Sequence, residues 1–339
     1  MIVVSGDIET AVSALDENET KTLPTDSPPR PIAYIAGPTA VGKSAVALRW
    51  AELEGWEILS LDSRQVYRQL ELGTAKPSAG EQERVRHHLV DCLNLNEACS
   101  AGSFRELYEV ALRDIADRAG TAVAVGGTGF YWEVCARGLH ELPPASPELR
   151  TELVERDSLV GLEGLYFDLT QLDPIGAAQV PRGNRHRVMR AIELVRTTGK
   201  PLAEIYAGRR SGPEAEPVPV FYLTRPRDRI YARIEARCKT MIAAGLLEEI
   251  RGLLAEGWPE TAPGLQTVGY REFFAHLRGE ESLANAVEKF LVSTRRYAKR
   301  QETWFRNRVP ERIEVSLGDD ETADEVIARL RRHLEAGPR

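Results

Sequence analysis

Apolar residues come in short bounded runs early in the chain and at helical spacing through most of the rest. Ile32-Ala33-Tyr34-Ile35-Ala36 is an unbroken apolar run ending at a glycine, the pattern of a strand buried on both faces. Trp56-Glu57-Ile58-Leu59-Ser60-Leu61 and Thr121-Ala122-Val123-Ala124-Val125 read the same way. Residues 45–51 read as a helix. Residues 103–119 carry Phe104, Leu107, Val110, Ala111 and Ile115 at helical spacing. Strands alternating with helices point to an open α/β sheet.

Leu142-Pro143-Pro144-Ala145-Ser146-Pro147 marks a boundary. Beyond it the chain is helical and Arg-rich to about residue 214. Its clearest helix spans 184–197, with Val188, Ala191, Ile192 and Val195 as the apolar stripe and Thr198-Gly199-Lys200-Pro201 as the stop. Arg187 and Arg190 lie on the other side, as a binding face or a solvated one. A strand at 218–224 then returns the chain to the sheet and delivers Arg225. Residues 231–254 are helical with a break near Gly245, and residues 266–271 form a Gly-containing turn into another helix. Ser282 caps a long helix whose core positions are Val287, Phe290, Leu291, Tyr297, Ala298, Trp304 and Phe305. Arg295, Arg296, Lys299 and Arg300 crowd its polar side. An edge strand at 313–317 and an amphipathic helix to about residue 334 close the chain.

The chemistry gathers at strand ends. Gly37-Pro38-Thr39-Ala40-Val41-Gly42-Lys43-Ser44 follows the first strand and precedes the first helix, which is the setting of a phosphate loop. Its glycines let backbone N–H groups turn inward around phosphate oxygens. The helix N-terminus adds partial positive charge and Lys43 a full one. Ser44 can hold Mg²⁺. These features establish a polyphosphate site, not ATP as its occupant. The second strand delivers Asp62-Ser63-Arg64-Gln65, and sites in open α/β sheets form at the carboxyl ends of strands. A helix cap or turn is the other role open to Asp62. The third strand ends in Gly126-Gly127-Thr128-Gly129, where an ordinary NTPase would show an acid for Mg²⁺. Those glycines allow close backbone approach to a ligand, or a tight strand-to-helix turn. His87 and His88 are adjacent and have no third ligand nearby, so they read as packing or loop hydrogen bonding rather than a metal site.

Composition narrows the setting. A chain of 339 residues that is 42% hydrophobic can bury one large or two medium cores. The net charge of −7 argues weakly against nucleic acid, but residues 1–30 alone carry −4 and are read as a mobile acidic extension. Cys92, Cys99, Cys135 and Cys238 show no paired spacing, as expected of thiols in a reducing cytosol. No run is long enough to span a membrane and no signal pattern opens the chain, so a cytoplasmic protein is expected.

The motifs together closely resemble the bacterial tRNA dimethylallyltransferases, the isopentenyl-tRNA transferase family. The resemblance runs from about residue 31 to 307. It rests on GPTAVGKS (37–44), DSRQVYR (62–68), GTAKP (73–77), HHLVD (87–91), VGGTGFY (125–131), VGYRE (268–272) and TRRYAKRQETWFR (294–306). It implies a P-loop NTPase-like parallel sheet flanked by helices, with an inserted helical domain. The organisation expected is an extension at 1–30, a core at 31–142 and 215–318, a tRNA-binding insert at 143–214 and a C-terminal helix at 319–339.

The resemblance also implies the reaction: transfer of a dimethylallyl group from dimethylallyl diphosphate to N6 of the adenosine 3′ to the anticodon, position 37, with Mg²⁺. By that carry-over, residues 37–44 and Arg225 hold the diphosphate, and Asp62 and Thr128 act in catalysis. Asp62, Ser63, Arg64, Gln65, Thr128 and Arg150 contact the tRNA anticodon stem-loop. So do His186, Arg187, Val188, Met189 and Arg190, and Gln266, Thr267, Val268, Gly269, Tyr270 and Arg271. A monomer with no membrane partner is expected. Glu302 stands where the family suggests Arg, a departure at one expected backbone contact, and Cys99 stands where an aromatic residue is usual. The rival is a P-loop small-molecule kinase, with an RNA-binding adaptor third. The kinase requires ATP turnover and has no use for an Arg-rich insert.

Overall fold

The computed structural model describes residues 29–140, 142–143, 146–208, 210–211 and 218–336. The acidic extension expected at 1–30 therefore lies almost wholly outside the described residues.

In chain order, β1 (Ala33–Ala36) leads through the phosphate loop into α1 (Lys43–Glu54) and β2 (Glu57–Ser60). Next come α2 (Ala79–Arg84), β3 (His87–His88), α3 (Ala101–Asp117), β4 (Ala122–Gly126) and α4 (Gly129–Arg137). A short antiparallel ribbon of β5 (Leu139–His140) and β6 (Arg210–Ser211) brackets α5 (Pro147–Leu172), α6 (Pro174–Ala177), α7 (Arg185–Thr198) and α8 (Leu202–Tyr206). The chain continues through β7 (Val220–Thr224), α9 (Arg227–Ala243), α10 (Leu246–Ala255), α11 (Phe274–Leu277), α12 (Leu283–Arg308), β8 (Ile313–Ser316) and α13 (Ala323–Glu335). Two compact units result: Met1–Ala136 with Glu214–Arg339, and Arg137–Pro213.

The first unit is built on a six-stranded sheet in the order β3-β2-β4-β1-β7-β8, every pair parallel. Parallel strands need both faces covered, which is why they read as continuous apolar runs. Alternate side chains go to opposite faces. Ile35 and Phe221 join Trp50 of α1 and Ile327 of α13 in one buried cluster. Tyr34 and Tyr222 point the other way, against Trp132 and Phe305. The break in the helical stretch after β7 falls at Gly245, with φ 105°. Ser282 accepts from the Asn285 N–H and so caps α12. The two histidines sit on the edge strand: His88 Nε2 lies 2.6 Å from Glu57 and His87 Nδ1 lies 2.8 Å from the Val85 carbonyl. No group of three or more His, Cys, Asp or Glu among the described residues could hold a metal ion.

All strands being parallel, their carboxyl ends share one edge of the sheet. β2, β4, β1 and β7 are consecutive there. The loops carrying Asp62, Thr128, Lys43 and Arg225 therefore leave the sheet side by side.

The second unit is a small helical body. Its core joins Leu153, Leu165 and Leu169 of α5 to Val188, Ile192 and Val195 of α7 and to Leu202. Asn184 Oδ1 accepts from the Arg187 N–H and caps α7, and Gly199 closes it in the left-handed conformation. Buried Asp173 clasps two helix starts, accepting from the N–H groups of Gly176 and Leu202 at 2.9 and 2.7 Å.

Candidate functional site

The phosphate loop is framed by side chains from α9 and α12. Lys43 Nζ donates to the Pro38 carbonyl at 2.9 Å, curling the loop around its own ammonium. Burial pushes that ammonium down to a pKa of about 8, with the Asp62 carboxylate pulling it up and the Arg237 guanidinium pushing it further down. Arg237 Nη2 donates to Thr39 Oγ1 at 2.7 Å, and Arg233 Nε to the Ala40 carbonyl at 2.7 Å. Arg237 Nε is buried with no hydrogen-bond partner among the described residues. Arg225 braces the loop from its backbone: Nε donates to the Val41 carbonyl at 3.0 Å and Nη1 to the Gly318 carbonyl at 2.7 Å. Ser44 stands exposed at the first turn of α1.

Asp62 follows β2, and its Oδ1 accepts from the Arg64 N–H at 2.9 Å. The turn role open to it is thus filled by one oxygen. The Ser63 N–H points to Thr128 Oγ1 at 3.4 Å, so the loops after β2 and β4 touch. Tyr297 of α12 lies beside this group, with Thr128 and Asp62 both acting on its phenol. Burial, then the nearby Asp62 charge, pushes its phenol up to about 12. One carboxylate thus acts electrostatically on Lys43, Arg237 and Tyr297 together.

The glycines after β4 serve close packing. A Cβ on Gly127 would come within 2.2 Å of Gln301 Nε2, and one on Gly129 within 2.1 Å of the Trp304 ring. Thr128 is therefore carried between two glycines pressed against α12. Gln301 and Trp304 meet the two glycines, and Tyr297, one turn before Gln301 on the same helix face, lies near Thr128. Gln301 also reaches the phosphate loop, its Oε1 accepting from the Thr39 N–H at 2.8 Å.

Several residues expected to face tRNA are turned inward. Val188 and Met189 belong to the helical core, because α7 buries that stripe. Thr267 and Tyr270 are buried too: Thr267 Oγ1 donates to the Gly264 carbonyl, and Tyr270 donates to Glu249 and accepts from the Gly73 N–H. The Gln65 amide is engaged within the protein, donating to the Ala75 carbonyl at 3.0 Å while its oxygen accepts from Ser60. These side chains shape the surface from beneath. His186, Arg187, Gln266 and Arg271 are exposed. Arg150 and Arg190 are half held, both donating to Glu193, which is only 1% exposed. Glu302 pairs with Arg227 at 3.3 Å.

Arg233, Arg237 and Gln301 were not singled out in the sequence. A signal for the first two was present: Arg229, Arg233 and Arg237 recur at i, i+4, i+8, a basic stripe beginning just after Arg225. Gln301 is a polar residue inside the apolar stripe of α12.

The family model for IPP transferase matches residues 65–308. A tRNA dimethylallyltransferase from Geobacter metallireducens is 42% identical over 275 residues, covering 81% of this chain and 89% of that protein. The full-length tRNA isopentenylpyrophosphate transferase from Bacillus halodurans has a similar structure, with a TM-score of 0.63 and 32% identity over 90% of this chain and 96% of that one. A eukaryotic dimethylallyltransferase acting on tRNA shares the fold at a TM-score of 0.76 and 22% identity, covering 91% and 80% of the two chains.

Proposed function

Because this chain belongs to the IPP transferase family and is a tRNA prenyltransferase, we propose that its phosphate loop holds dimethylallyl diphosphate and that Asp62 addresses N6 of the adenosine beside the anticodon. One observation carries this reading: Asp62 and Lys43 sit in loops at the same sheet edge, and the Asp62 carboxylate lies near enough to favour the charged Lys43 ammonium. An acceptor held by Asp62 and a diphosphate held by Lys43 are then neighbours.

The exocyclic amine of adenine is a weak nucleophile, its lone pair being delocalised into the ring. Asp62 accepts a hydrogen bond from N6–H, raises the electron density on nitrogen and takes the proton as the new C–N bond forms. Thr128 fixes the loop beside it. The C–O bond to the diphosphate breaks as the C–N bond forms, and negative charge grows on the departing group. Lys43, Arg237 and the loop N–H groups stabilise that charge. Arg225 and Arg233 keep the loop in its curled form. A base in an anticodon loop is cheaply turned out of its stack, so the amine can reach the donor.

Mg²⁺ fits the donor set in one way. The exposed Ser44 hydroxyl opens α1, and the described residues form no acidic cage. That suits an ion that keeps its waters and phosphate oxygens. When bound, Mg²⁺ neutralises charge on the diphosphate. The proposed setting is a monomer in the cytoplasm.

The test is incubation with unmodified tRNA, dimethylallyl diphosphate and Mg²⁺, then mass analysis of the nucleosides, with ATP hydrolysis followed in parallel. One prenylated adenosine per tRNA without ATP supports the reading. ATP turnover stimulated by tRNA, with the diphosphate ignored, overturns it in favour of a kinase or ATPase.

A further inference from the structure

The interior of the site contains an uncharged amide, Gln301, that belongs to neither substrate's expected contacts. Gln301 is 5% exposed. Its Oε1 accepts the Thr39 N–H at 2.8 Å, across 262 residues of sequence. The other side of the same amide lies against Gly127, where a Cβ would collide with Nε2 at 2.2 Å and would also meet the Gly37 carbonyl at 3.0 Å. The phosphate loop, the glycine turn and α12 therefore meet at this amide. Thr39 also receives Arg237 on its hydroxyl, so that residue is held by both backbone and side chain.

We propose that Gln301 is a positioning residue that fixes the phosphate loop relative to Thr128, and so sets the distance between the leaving diphosphate and the attacking amine. A backbone N–H in a phosphate loop has two possible uses. It turns inward to a phosphate oxygen or it bonds elsewhere in the protein. Tying Thr39 to Gln301 commits that N–H to the protein and orients the rest of the loop. A buried amide is well suited to this: it accepts from Thr39 without adding charge beside a diphosphate, and its planar head fits the gap left by the missing Cβ of Gly127. Replacing it removes one hydrogen bond and frees the part-buried Thr39 N–H from its protein partner. The effect falls on the donor, since the Thr39 N–H it holds belongs to the phosphate loop.

This proposal rests on the phosphate loop being the donor site, and the experiment separates the two. Dimethylallyl diphosphate binding is measured by calorimetry for the wild type, Lys43→Ala and Gln301→Leu. Initial rates of tRNA prenylation are then measured against donor and against tRNA separately. Gln301→Leu is expected to raise the KM for the donor about tenfold, the scale of one buried hydrogen bond, with the KM for tRNA unchanged. It should also speed hydrogen exchange of the segment 37–44 in the free protein, while the thermal midpoint stays near that of the wild type. Gly127→Ala, which must push the amide aside, should show the same selective rise. An unchanged donor KM and unchanged exchange overturn the proposal while leaving the donor site intact. So does a loss that falls equally on both substrates and follows the thermal midpoint. If the wild type binds no dimethylallyl diphosphate, or Lys43→Ala binds it equally well, the donor-site assignment fails first and this role fails with it.

Discussion

Arg237 reaches from the middle of α9 to Thr39 Oγ1 at 2.7 Å, joining positions 198 residues apart. Burial pushes its guanidinium pKa below the ordinary value, and its Nε has no hydrogen-bond partner among the described residues. A buried cation without full hydrogen bonding is costly until an anion arrives. Arg237→Ala is therefore expected to lower kcat/KM for the diphosphate by about 10- to 100-fold, in the range of a lost charged hydrogen bond. The thermal midpoint of the free enzyme should not fall, because the substitution also removes a desolvated charge. Steady-state kinetics and a thermal melt check both halves. A large drop in stability would make Arg237 a structural ion instead.

Asp62→Asn keeps the acceptor oxygen that meets the Arg64 N–H but cannot take a proton. Single-turnover prenylation should slow by about 10²- to 10⁴-fold, with donor and tRNA affinity retained. A near-normal rate would remove Asp62 from the general-base role.

Lys43 titrates at about 8, low for a lysine because it is desolvated. Its charged form is the one that binds the diphosphate, so affinity should fall as pH rises through about 8. A bound anion favours the ammonium, so binding near that pH should take up protons. Calorimetry in buffers of different ionisation enthalpy reads this uptake. Lys43→Met should abolish it, and persistence of uptake in that variant would assign the titration elsewhere.

The basic side chains divide by how firmly each is held. Arg187, Arg296, Lys299 and Arg300 are exposed, whereas Arg150 and Arg190 converge on Glu193. Neutralising each of the first group should reduce the slope of log affinity for tRNA against log salt by about 0.7. Arg150→Ala should change it less, since its charge is already offset by Glu193. Equal slopes throughout would mean that the exposed residues are only a solvated face.

Glu57 of β2 holds the edge strand through His88 and pairs with Arg118 at the end of α3. Burial alone would raise its pKa, but the bonds to Arg118 and His88 bring it down to about 2. A depressed carboxylate stabilises the fold above its unfolded value and loses that contribution as pH falls from about 4.5 towards 2. Urea denaturation should show Glu57→Gln to be less stable by about 2 kcal/mol at pH 7, with the gap to the wild type closing below about pH 3. A gap that does not change with pH would indicate lost packing instead of lost charge.

The strand ends and their chemistry can be read from the order of residues alone. A strand buried on both faces must be an apolar run, and the loop that follows must carry whatever the site needs. Lys43, Asp62, Thr128 and Arg225 were therefore legible as candidates, as were the cap at Ser282 and the break at Gly245. Periodicity also marked the buried stripe of α7. At Val188 that stripe coincides with a position to which the family resemblance assigns a tRNA-facing role, and the side chain is packed in the helical core.

Which strand ends are neighbours is settled by the packed fold. Nothing local places β4 between β2 and β1, because parallel pairing is set by long-range packing of helices on both faces. The same limit hid Arg237 and Gln301. Each has the local pattern of an ordinary helix residue. Each becomes part of the site only because α9 and α12 pack so that one side chain reaches Thr39, a contact that depends on residues 198 and 262 positions away.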